Sequence, residues 1–458
     1  MRFPPIMARV RGLRALDLMN LFIADAQTGF GAFLAVYLAS HKWTALQIGT
    51  VLSIGTAATI ASQIPAGALV DAMRSKRLAL AGGIGAITLA ALLLTLLPYQ
   101  LPVALAELLH GFASCVLTPA VAAVSLRLVG HAGFAERLGR NARFAAIGNA
   151  TAAAVMGALG TYISTRSVFL LTAVLAVPAL FTLYRIGPAP VPALVQSAIR
   201  VSPRRRAWQD VRQLLSDRRL VAFGACVVLF HMANAALLPL AASVVTAGVG
   251  AYASLIIAAC IVLPQCVVAL LSPMVGRRAI LWGRRAVLLV GWSAVPLRAV
   301  AFAALPVPAL IVAAQVLDGI SAAVFGVMLP LIAADLTRGR GGFNLCVGVF
   351  GLATGIGATV STSLAGWIAD AASDRIAFAA LAGVGMAGLA LLGAAMPETA
   401  PEKPVPAPLP AAVRNPTLVV TAPHPAQRTE VRRPGLRTKR RRDYAHAVRG
   451  GAEWRSRT

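Results

Sequence analysis

The chain has 458 residues, of which 58% are hydrophobic and only 13% are charged, and its mean hydropathy is +0.76. This composition excludes an ordinary soluble globular protein, whose surface needs more charge, and indicates a chain embedded in lipid. The formal net charge of +26 would suit a nucleic-acid-binding protein, but no aromatic-rich basic module accompanies the basic residues, which argues against that class.

Apolar stretches of about twenty residues recur about twelve times, and each is long enough to cross the hydrocarbon core of a bilayer as a helix. The sequence therefore predicts an all-α, polytopic membrane protein with about twelve transmembrane helices. The predicted spans, one to twelve, are 16–40, 46–70, 78–98, 101–126, 143–164, 167–185, 220–246, 249–274, 286–304, 307–332, 344–368 and 376–396.

The first and second halves of the chain resemble each other at an offset of about 208 residues. The glycine of AGALVDAMRSKR, Gly67, matches Gly276 of SPMVGRRAILWGRR, and AELLHG at 106–111 matches AQVLDG at 314–319. This repeat predicts a duplication that produced two pseudo-symmetric six-helix bundles, a class of fold in which the solute binds near the midplane between the repeats.

The segments outside the bundles are more polar. Trp208, Val211 and Leu214 recur at helical spacing among charges, which predicts an amphipathic helix on the inner leaflet. The last segment is rich in Pro and Arg and has too little apolar content to fold, although its RTKRRR run is also suited to anionic lipid headgroups. The predicted domains are an N-terminal bundle at 1–186, a cytoplasmic interdomain loop at 187–219, a C-terminal bundle at 220–398 and a disordered basic cytoplasmic tail at 399–458.

Basic residues are concentrated in alternate loops. Of the 42 Lys and Arg residues, all but four lie in the N-terminal segment, after spans two, four, eight and ten, between the bundles or in the tail; the exceptions are Lys42, Arg166, Arg298 and Arg375. This asymmetry follows the positive-inside rule and places both termini in the cytoplasm. We therefore predict a multi-pass protein of the inner (cytoplasmic) membrane.

Ionisable side chains inside the spans mark the candidate binding site, because burying each in hydrocarbon is costly unless it faces water or a partner. Glu107 and His110 are three residues apart on span four and share a helix face, and Gln315 and Asp318 repeat this spacing on span ten. The candidate substrate- or proton-binding residues are Asp25, Glu107, His110, His231, Asn234, Gln315 and Asp318.

Each of these residues has an alternative interpretation as a buried, hydrogen-bonded packing residue, and for His231 the two interpretations are evenly matched. Arg298 on span nine is expected at the periphery, paired locally or extended toward the interface. The amides Asn20, Gln27 and Gln265 also lie inside predicted spans.

The loop between spans two and three contains GALVDAMRSKR. Gly67 allows two helices to approach closely, and Asp71 at a helix end can hold a neighbouring helix end or basic side chain, as a gate latch would. A plain positively charged loop would explain the basic residues but not this glycine and acid. The candidate gating residues of the two bundles are Gly67, Asp71, Lys76, Arg77, Gly276, Gly283, Arg284 and Arg285.

Over residues 14–398 these features resemble the major facilitator superfamily of secondary transporters. That family's loop motif has a glycine, a leucine two residues on, an acid four residues on and a basic cluster, as Gly67, Leu69 and Asp71 do here. Two positions depart from the pattern, since Ala72 replaces the usual basic residue and Arg74 the usual second glycine. The second copy has Ile280 in place of the acid.

The resemblance implies that spans one, four, seven and ten line a central cavity. Many members carry an arginine on span four where this chain has Glu107. An acid in place of that base shifts the expectation away from anions and toward cationic, neutral or protonated solutes.

The expected function is secondary active transport of a small molecule by alternating access, as proton-coupled export of an amphipathic or cationic compound. Proton-symport uptake of a metabolite is the alternative, and a non-transporting sensor or a membrane enzyme is more remote. No nucleophile–base pair or metal-ligand spacing is visible, so we assign no catalytic residue, metal or cofactor. The expected partners are a small-molecule substrate, protons and membrane lipids, with no nucleic acid, and the chain is expected to be a monomer.

Overall fold

The structure is a computed structural model that describes residues 5–28, 30, 32–96, 98–186, 212, 214, 216–241, 253–304, 307–339 and 341–400. The predicted tail beyond residue 400 and most of the predicted interdomain loop, including its amphipathic helix, lie outside these residues. The domain boundaries therefore stay predictions.

Within the described residues the chain is helical and contains no strand, which confirms the all-α class. The helices are α1 Pro5–Thr28, α2 Ala32–Ser40, α3 Ala45–Ala72, α4 Lys76–Leu96, α5 Gln100–Tyr162, α6 Thr165–Arg185, α7 Arg218–Asn234, α8 Ala253–Leu281, α9 Arg284–Ala304, α10 Pro308–Leu336, α11 Phe343–Ala371 and α12 Asp374–Ala395.

Eleven described stretches are long and apolar enough to cross a membrane, and α1 with α2 forms the first of them, Arg11–Ser40. Helix α5 has 63 residues, which is about 95 Å at 1.5 Å per residue and far exceeds the bilayer core. It is interrupted at Gly130, where φ is 71° and ψ is 179°. The leading segment (100–129) and the trailing segment (131–162) of α5 therefore correspond to spans four and five, and the predicted count of about twelve spans is confirmed.

The duplication is visible in how the last helix of each bundle begins. The hydroxyl of Ser164 accepts a hydrogen bond from the Ser167 N–H before α6, and that of Ser373 accepts one from the Ile376 N–H before α12, both at 3.3 Å. Such N-caps pair a backbone N–H that the helix leaves unsatisfied. Ser164 and Ser373 lie 209 residues apart, so the duplication extends to the capping residues.

Two helix pairs make the most extensive contacts between the bundles. Helix α3 packs along α11, and the trailing segment of α5 packs along α8. Glycines of all four helices lie at these contacts, where the missing side chain lets the backbones approach closely. This arrangement leaves a space between the bundles that is closed off where these helices touch.

Glu398 follows α12 and ties it to the start of α9. Its carboxylate accepts hydrogen bonds from the backbone N–H groups of Arg284 (2.8 Å) and Arg285 (3.2 Å). Burial by itself would raise the pKa of Glu398, but bonds from these and neighbouring backbone N–H groups outweigh it, so the pKa lies below its ordinary value. The ionised carboxylate is therefore a stabilising cap for α9.

We expect Glu398→Gln to lower the free energy of unfolding at pH 7 by about 1 kcal/mol, as the loss of a helix cap does. Because the folded-state pKa is depressed, the stabilisation is complete above the unfolded pKa of 4.5 and is lost as pH falls through the folded value. Thermal unfolding in detergent from pH 7 to pH 3 measures both effects. A difference between native chain and variant that does not shrink at the acid end would contradict the assignment, and exposed Asp370→Asn serves as the control.

Candidate functional site

A cavity of about 590 Å³ lies between the bundles, lined by α1, α3 and α5 of the first bundle and α8, α10 and α11 of the second. This volume is within the range of small-molecule sites. Within the described part of the chain, its lining contains no Asp, Glu, Lys, Arg or His. The lining amides are Asn20, Gln27, Gln63, Asn141, Asn149 and Gln265.

None of the seven predicted binding residues is among the residues that line this cavity. Asp25 on α1 is 6% exposed, and a Cβ at Gly148 of the trailing α5 segment would lie 3.1 Å from its Oδ1. Glu107 is 5% exposed and packs against Gly55 of α3. Asp25 Oδ1 and Glu107 Oε1 are both buried with no hydrogen-bond partner among the described residues. The two acids therefore do not line the cavity, and neither is ion-paired within the described residues.

His110 does not hydrogen-bond to Glu107 in the described structure, although the two share a helix. Its ring stacks on Phe30 with centroids 3.9 Å apart, and its Nε2 lies 3.4 Å from Oγ of Ser114, which lines the cavity. His231 lies against Phe230 and Phe325, and its Nδ1 is 3.2 Å from the Val227 carbonyl oxygen. Both histidines are packed among aromatic rings, and their binding roles stay predictions.

The remaining three predicted residues surround one arginine. Arg298 of α9 is 1% exposed and is ion-paired with Asp318 of α10. Its guanidinium also donates to Oε1 of Gln315 at 3.2 Å and to Oδ1 of Asn234 on α7 at 2.9 Å. Arg298 therefore joins three helices of the second bundle.

The sequence analysis placed Asn234, Gln315 and Asp318 among the candidate binding residues but did not identify Arg298 as their common partner, because it expected α9 at the periphery. One signal was available: Arg298 is a basic residue inside an apolar span, and Asp318 is an acid inside a neighbouring one. Two opposite charges in hydrocarbon are most stable when they are paired.

A second charged network was missed by sequence reasoning. Asp17 of α1 is ion-paired with Arg137, and its Oδ2 accepts from Arg140 at 2.8 Å. Arg137 Nε donates at 2.7 Å to Asn141, whose Nδ2 donates at 2.7 Å to Ser125. Because Asn141 lines the cavity, this network connects the lining to the α1–α5 contact.

The predicted gating residue Asp71 binds the start of a helix in the other bundle. Its carboxylate accepts from Asn344 Nδ2 at 2.6 Å, from the Asn344 N–H at 3.3 Å and from the Leu345 N–H at 2.8 Å. These N–H groups begin α11, where the helix dipole favours an anion. The contact has the geometry of a latch between bundles, and its role in gating stays a prediction.

The α3–α11 crossing is a reciprocal backbone contact. A Cβ added to Gly67 would clash with the carbonyl oxygen of Asn344, and one added to Gly348 would clash with that of Gln63. Each helix thus presents a glycine to a carbonyl of the other, and larger residues at either glycine would separate the bundles.

The α5–α8 crossing repeats this contact. A Cβ at Gly276 would clash with the carbonyl oxygen of Ala135, and one at Gly139 would clash with that of Ser272. All four residues lie 209 positions from their counterparts in the α3–α11 crossing. The carboxylate is the exception, because the position equivalent to Asp71 holds Ile280. In its place the described α5–α8 crossing has an exposed pair, Arg277 and Glu136, 4.0 Å apart.

The basic gating residues cap the ends of helices. Lys76 Nζ donates to the Val70 and Met73 carbonyls at the end of α3, and Arg284 donates to the Ala279 carbonyl in the last turn of α8 at 2.7 Å. Cations at helix C-termini are stabilising because they meet unpaired carbonyls and the negative end of the dipole.

The next basic residue of each loop caps the last helix of its bundle. Arg77 donates to the Tyr184 carbonyl of α6 at 3.4 Å, and Arg285 donates to the Gly393 carbonyl of α12. Gly283, with φ of 89°, makes the turn before α9, a conformation that favours glycine. These contacts fix the loops on which the latch depends.

A sequence model described as Major Facilitator Superfamily matches residues 16–267 and 225–444. Two Mycobacterium tuberculosis proteins, the uncharacterized MFS-type transporters MT2531 (strain CDC 1551 / Oshkosh) and Rv2456c (strain ATCC 25618 / H37Rv), are each 38% identical over 392 residues, covering 85% of this chain and 94% of theirs.

Solved structures share the fold. The human organic anion transporter MFSD10 (TETRAN) superposes with a TM-score of 0.68 at 15% identity, covering 85% of this chain and all of that one. A variant of the E. coli fucose:proton symporter FucP gives 0.68 at 14% identity, covering 84% and 98%. At these identities the likeness concerns the fold alone.

We expect Asp318→Asn to destabilise the chain by about 3–5 kcal/mol, because it leaves the Arg298 charge buried without its counter-charge. The double variant Arg298→Gln with Asp318→Asn removes both charges and should recover most of that loss. Unfolding midpoints and monodispersity in detergent measure both. Equal stability of the single and double variants would contradict a paired cluster, and exposed Asp370→Asn is the control.

We expect Asp71→Ala to expose the start of α11, because its backbone N–H groups lose bonds to a carboxylate that are worth about 1.5–3 kcal/mol each. Hydrogen–deuterium exchange of residues 343–347 should rise roughly tenfold or more. The matched control is Ile280→Ala, which alters the equivalent position but removes no such bond. Unchanged exchange in Asp71→Ala, or an equal rise in the control, would refute the latch.

Proposed function

This chain belongs to the major facilitator superfamily of transporters, and we propose that it moves a small molecule across the cytoplasmic membrane by alternating access. The observation that carries the proposal is the cavity between two bundles whose helices meet at pseudo-symmetric glycine contacts. Such contacts hold the two bundles together on one side of the cavity. They break together when the bundles rock as rigid units.

The proposed energy source is the proton gradient, and the proposed proton carriers are Asp25 and Glu107. Both lie on helices that line the cavity and are buried with an unpaired carboxyl oxygen among the described residues. Burying a carboxyl group in this way costs the least free energy when the group is protonated. Asp318 differs, because Arg298 already compensates its charge. Moving one charge against the membrane potential is worth about 2.3 kcal/mol per 100 mV, enough to drive a solute gradient.

The proposed direction is export of an amphipathic compound by proton antiport. The cavity combines amides with an apolar wall, which supports an amphipathic solute, and no carboxylate that would favour a cation is among its described lining residues. Proton-symport uptake of a metabolite is the second candidate, because the same unpaired acids serve either direction.

The orientation that we propose, with both termini in the cytoplasm, rests on the basic loops. We propose a monomer in contact with membrane lipids and without catalytic activity, consistent with relatives that are named as transporters.

We expect a transported solute to trigger proton efflux from the lumen of everted membrane vesicles that contain the native chain. Asp25→Asn and Glu107→Gln should each abolish that response, because neither amide binds a proton, while exposed Asp370→Asn should keep it. A pH-sensitive dye in the lumen reports the movement across a panel of neutral and cationic amphiphiles, sugars and carboxylates.

The sign of the response separates the two candidates, because symport would bring protons into the lumen with the solute. Proton movement that survives in both acid variants would refute the assignment of the carriers. No response across the panel, with membrane insertion confirmed, would refute proton-coupled transport of these solute classes.

A further inference from the structure

We infer that the cavity binds an uncharged amphipathic molecule, with its hydrogen-bonding edge against the first bundle and its apolar face against α10. The inference rests on the proposed transport function and adds the chemical class and orientation of the solute. Three independent features of the lining support it: its charge, its uncommitted amides and the unequal polarity of its two walls.

Among the described residues, the lining offers no counter-charge to an ion. Asp25 and Glu107 are buried and do not line the cavity. Two further acids of the lining helices are already ion-paired, Asp17 with Arg137 and Asp318 with Arg298. A charged ligand would leave water without gaining an opposite charge, which costs several kcal/mol. The cavity therefore disfavours cations and anions alike.

Several amides of the lining have side-chain donors or acceptors without a hydrogen-bond partner among the described residues. Among the described residues, Gln27, Gln63 and Gln265 make no side-chain hydrogen bond, and Asn149 uses only its oxygen, which accepts from Thr28 at 3.2 Å. By contrast, both side-chain polar atoms of Asn141 are hydrogen-bonded, since its oxygen accepts from Arg137 and its nitrogen donates to Ser125. Free amides offer donors and acceptors together, which suits hydroxyl, ether or amide groups of a neutral ligand.

The two walls of the cavity differ in polarity. Of the ten lining side chains that carry an amide or a hydroxyl, eight belong to the first bundle. Helix α10 contributes Phe325, Leu329 and Pro330 without a polar side chain. A ligand that satisfies both walls must be polar along one edge and apolar along the other.

Phe325 provides a fixed surface on the apolar wall. Its ring is parallel to that of Phe230, with centroids 5.3 Å apart, and T-shaped to that of His231, with centroids 4.6 Å apart. Because these neighbours hold the ring in place, it can receive the flat or aliphatic face of a ligand without losing side-chain freedom. This explains why His231 packs among aromatics beside the cavity and does not line it.

The test uses three tritiated probes with the same hexyl chain: hexyl β-glucoside (neutral), hexyltrimethylammonium (cationic) and hexyl sulfate (anionic). Binding to the full chain in nanodiscs is measured by scintillation proximity, with empty nanodiscs subtracted. We expect the glucoside to bind roughly tenfold or more tightly than either ion, since about 1.4 kcal/mol of uncompensated desolvation is tenfold.

Two variants make the result specific to the cavity. Gln265→Glu places a carboxylate in the lining and should improve binding of the cationic probe roughly tenfold, whereas the matched exposed control Gln100→Glu should not. Lengthening the glucoside chain to octyl should strengthen binding to the native chain but not to Phe325→Ala, which removes the apolar surface.

Native binding of either ion as tight as that of the glucoside would overturn the inference, and so would a failure of the glucoside to bind. A Gln265→Glu variant with unchanged selectivity would overturn the placement in this cavity. Proton movement in the vesicle assay decides separately whether transport itself stands, so a wrong solute class and a wrong function give different results.

Discussion

The structure depends on close backbone contact between the two bundles at the α3–α11 and α5–α8 crossings. Polar contacts add to it there, from the Asp71 carboxylate to the start of α11 and from Arg277 to Glu136, which lie 4.0 Å apart. In hydrocarbon, helices gain little from the hydrophobic effect when they associate, so close packing and polar contacts must hold them. Here a glycine meets a carbonyl at Gly67, Gly139, Gly276 and Gly348. The four contacts are related by the duplication, so the two crossings can close together, and the cavity exists because they close on one side of it.

Divergence after the duplication gave the bundles different electrostatics. The acids Asp25 and Glu107 of the first bundle lie unpaired in the membrane, whereas Arg298 neutralises Asp318 in the second. The latch is equally one-sided, because Asp71 has no acidic counterpart at Ile280. In the proposed mechanism, proton binding is a task of the first bundle, and the second supplies a rigid apolar wall.

The residues of the latch contact could be identified from the sequence, whereas none of the seven predicted binding residues is among those that line the cavity. Gly67 and Asp71 could be identified because a glycine and an acid at a helix end have few other uses, and the structure places both against α11. The cavity lining was harder to predict. A single sequence shows that Gln27 and Glu107 both lie within spans, but it does not show that one faces the cavity and the other packs against Gly55, because a bundle helix has neighbours on several sides.

The sequence by itself determined the helix count, the duplication and the two-bundle class, because the bilayer imposes a length and a polarity that can be read residue by residue. Only the tertiary structure decided which polar groups meet. The partnership of Arg298 with Asn234, Gln315 and Asp318 spans three helices, and that of Asp71 with Asn344 and Leu345 spans both bundles. Such partnerships depend on the rotation and crossing of packed helices, which hydrophobic periodicity leaves undetermined.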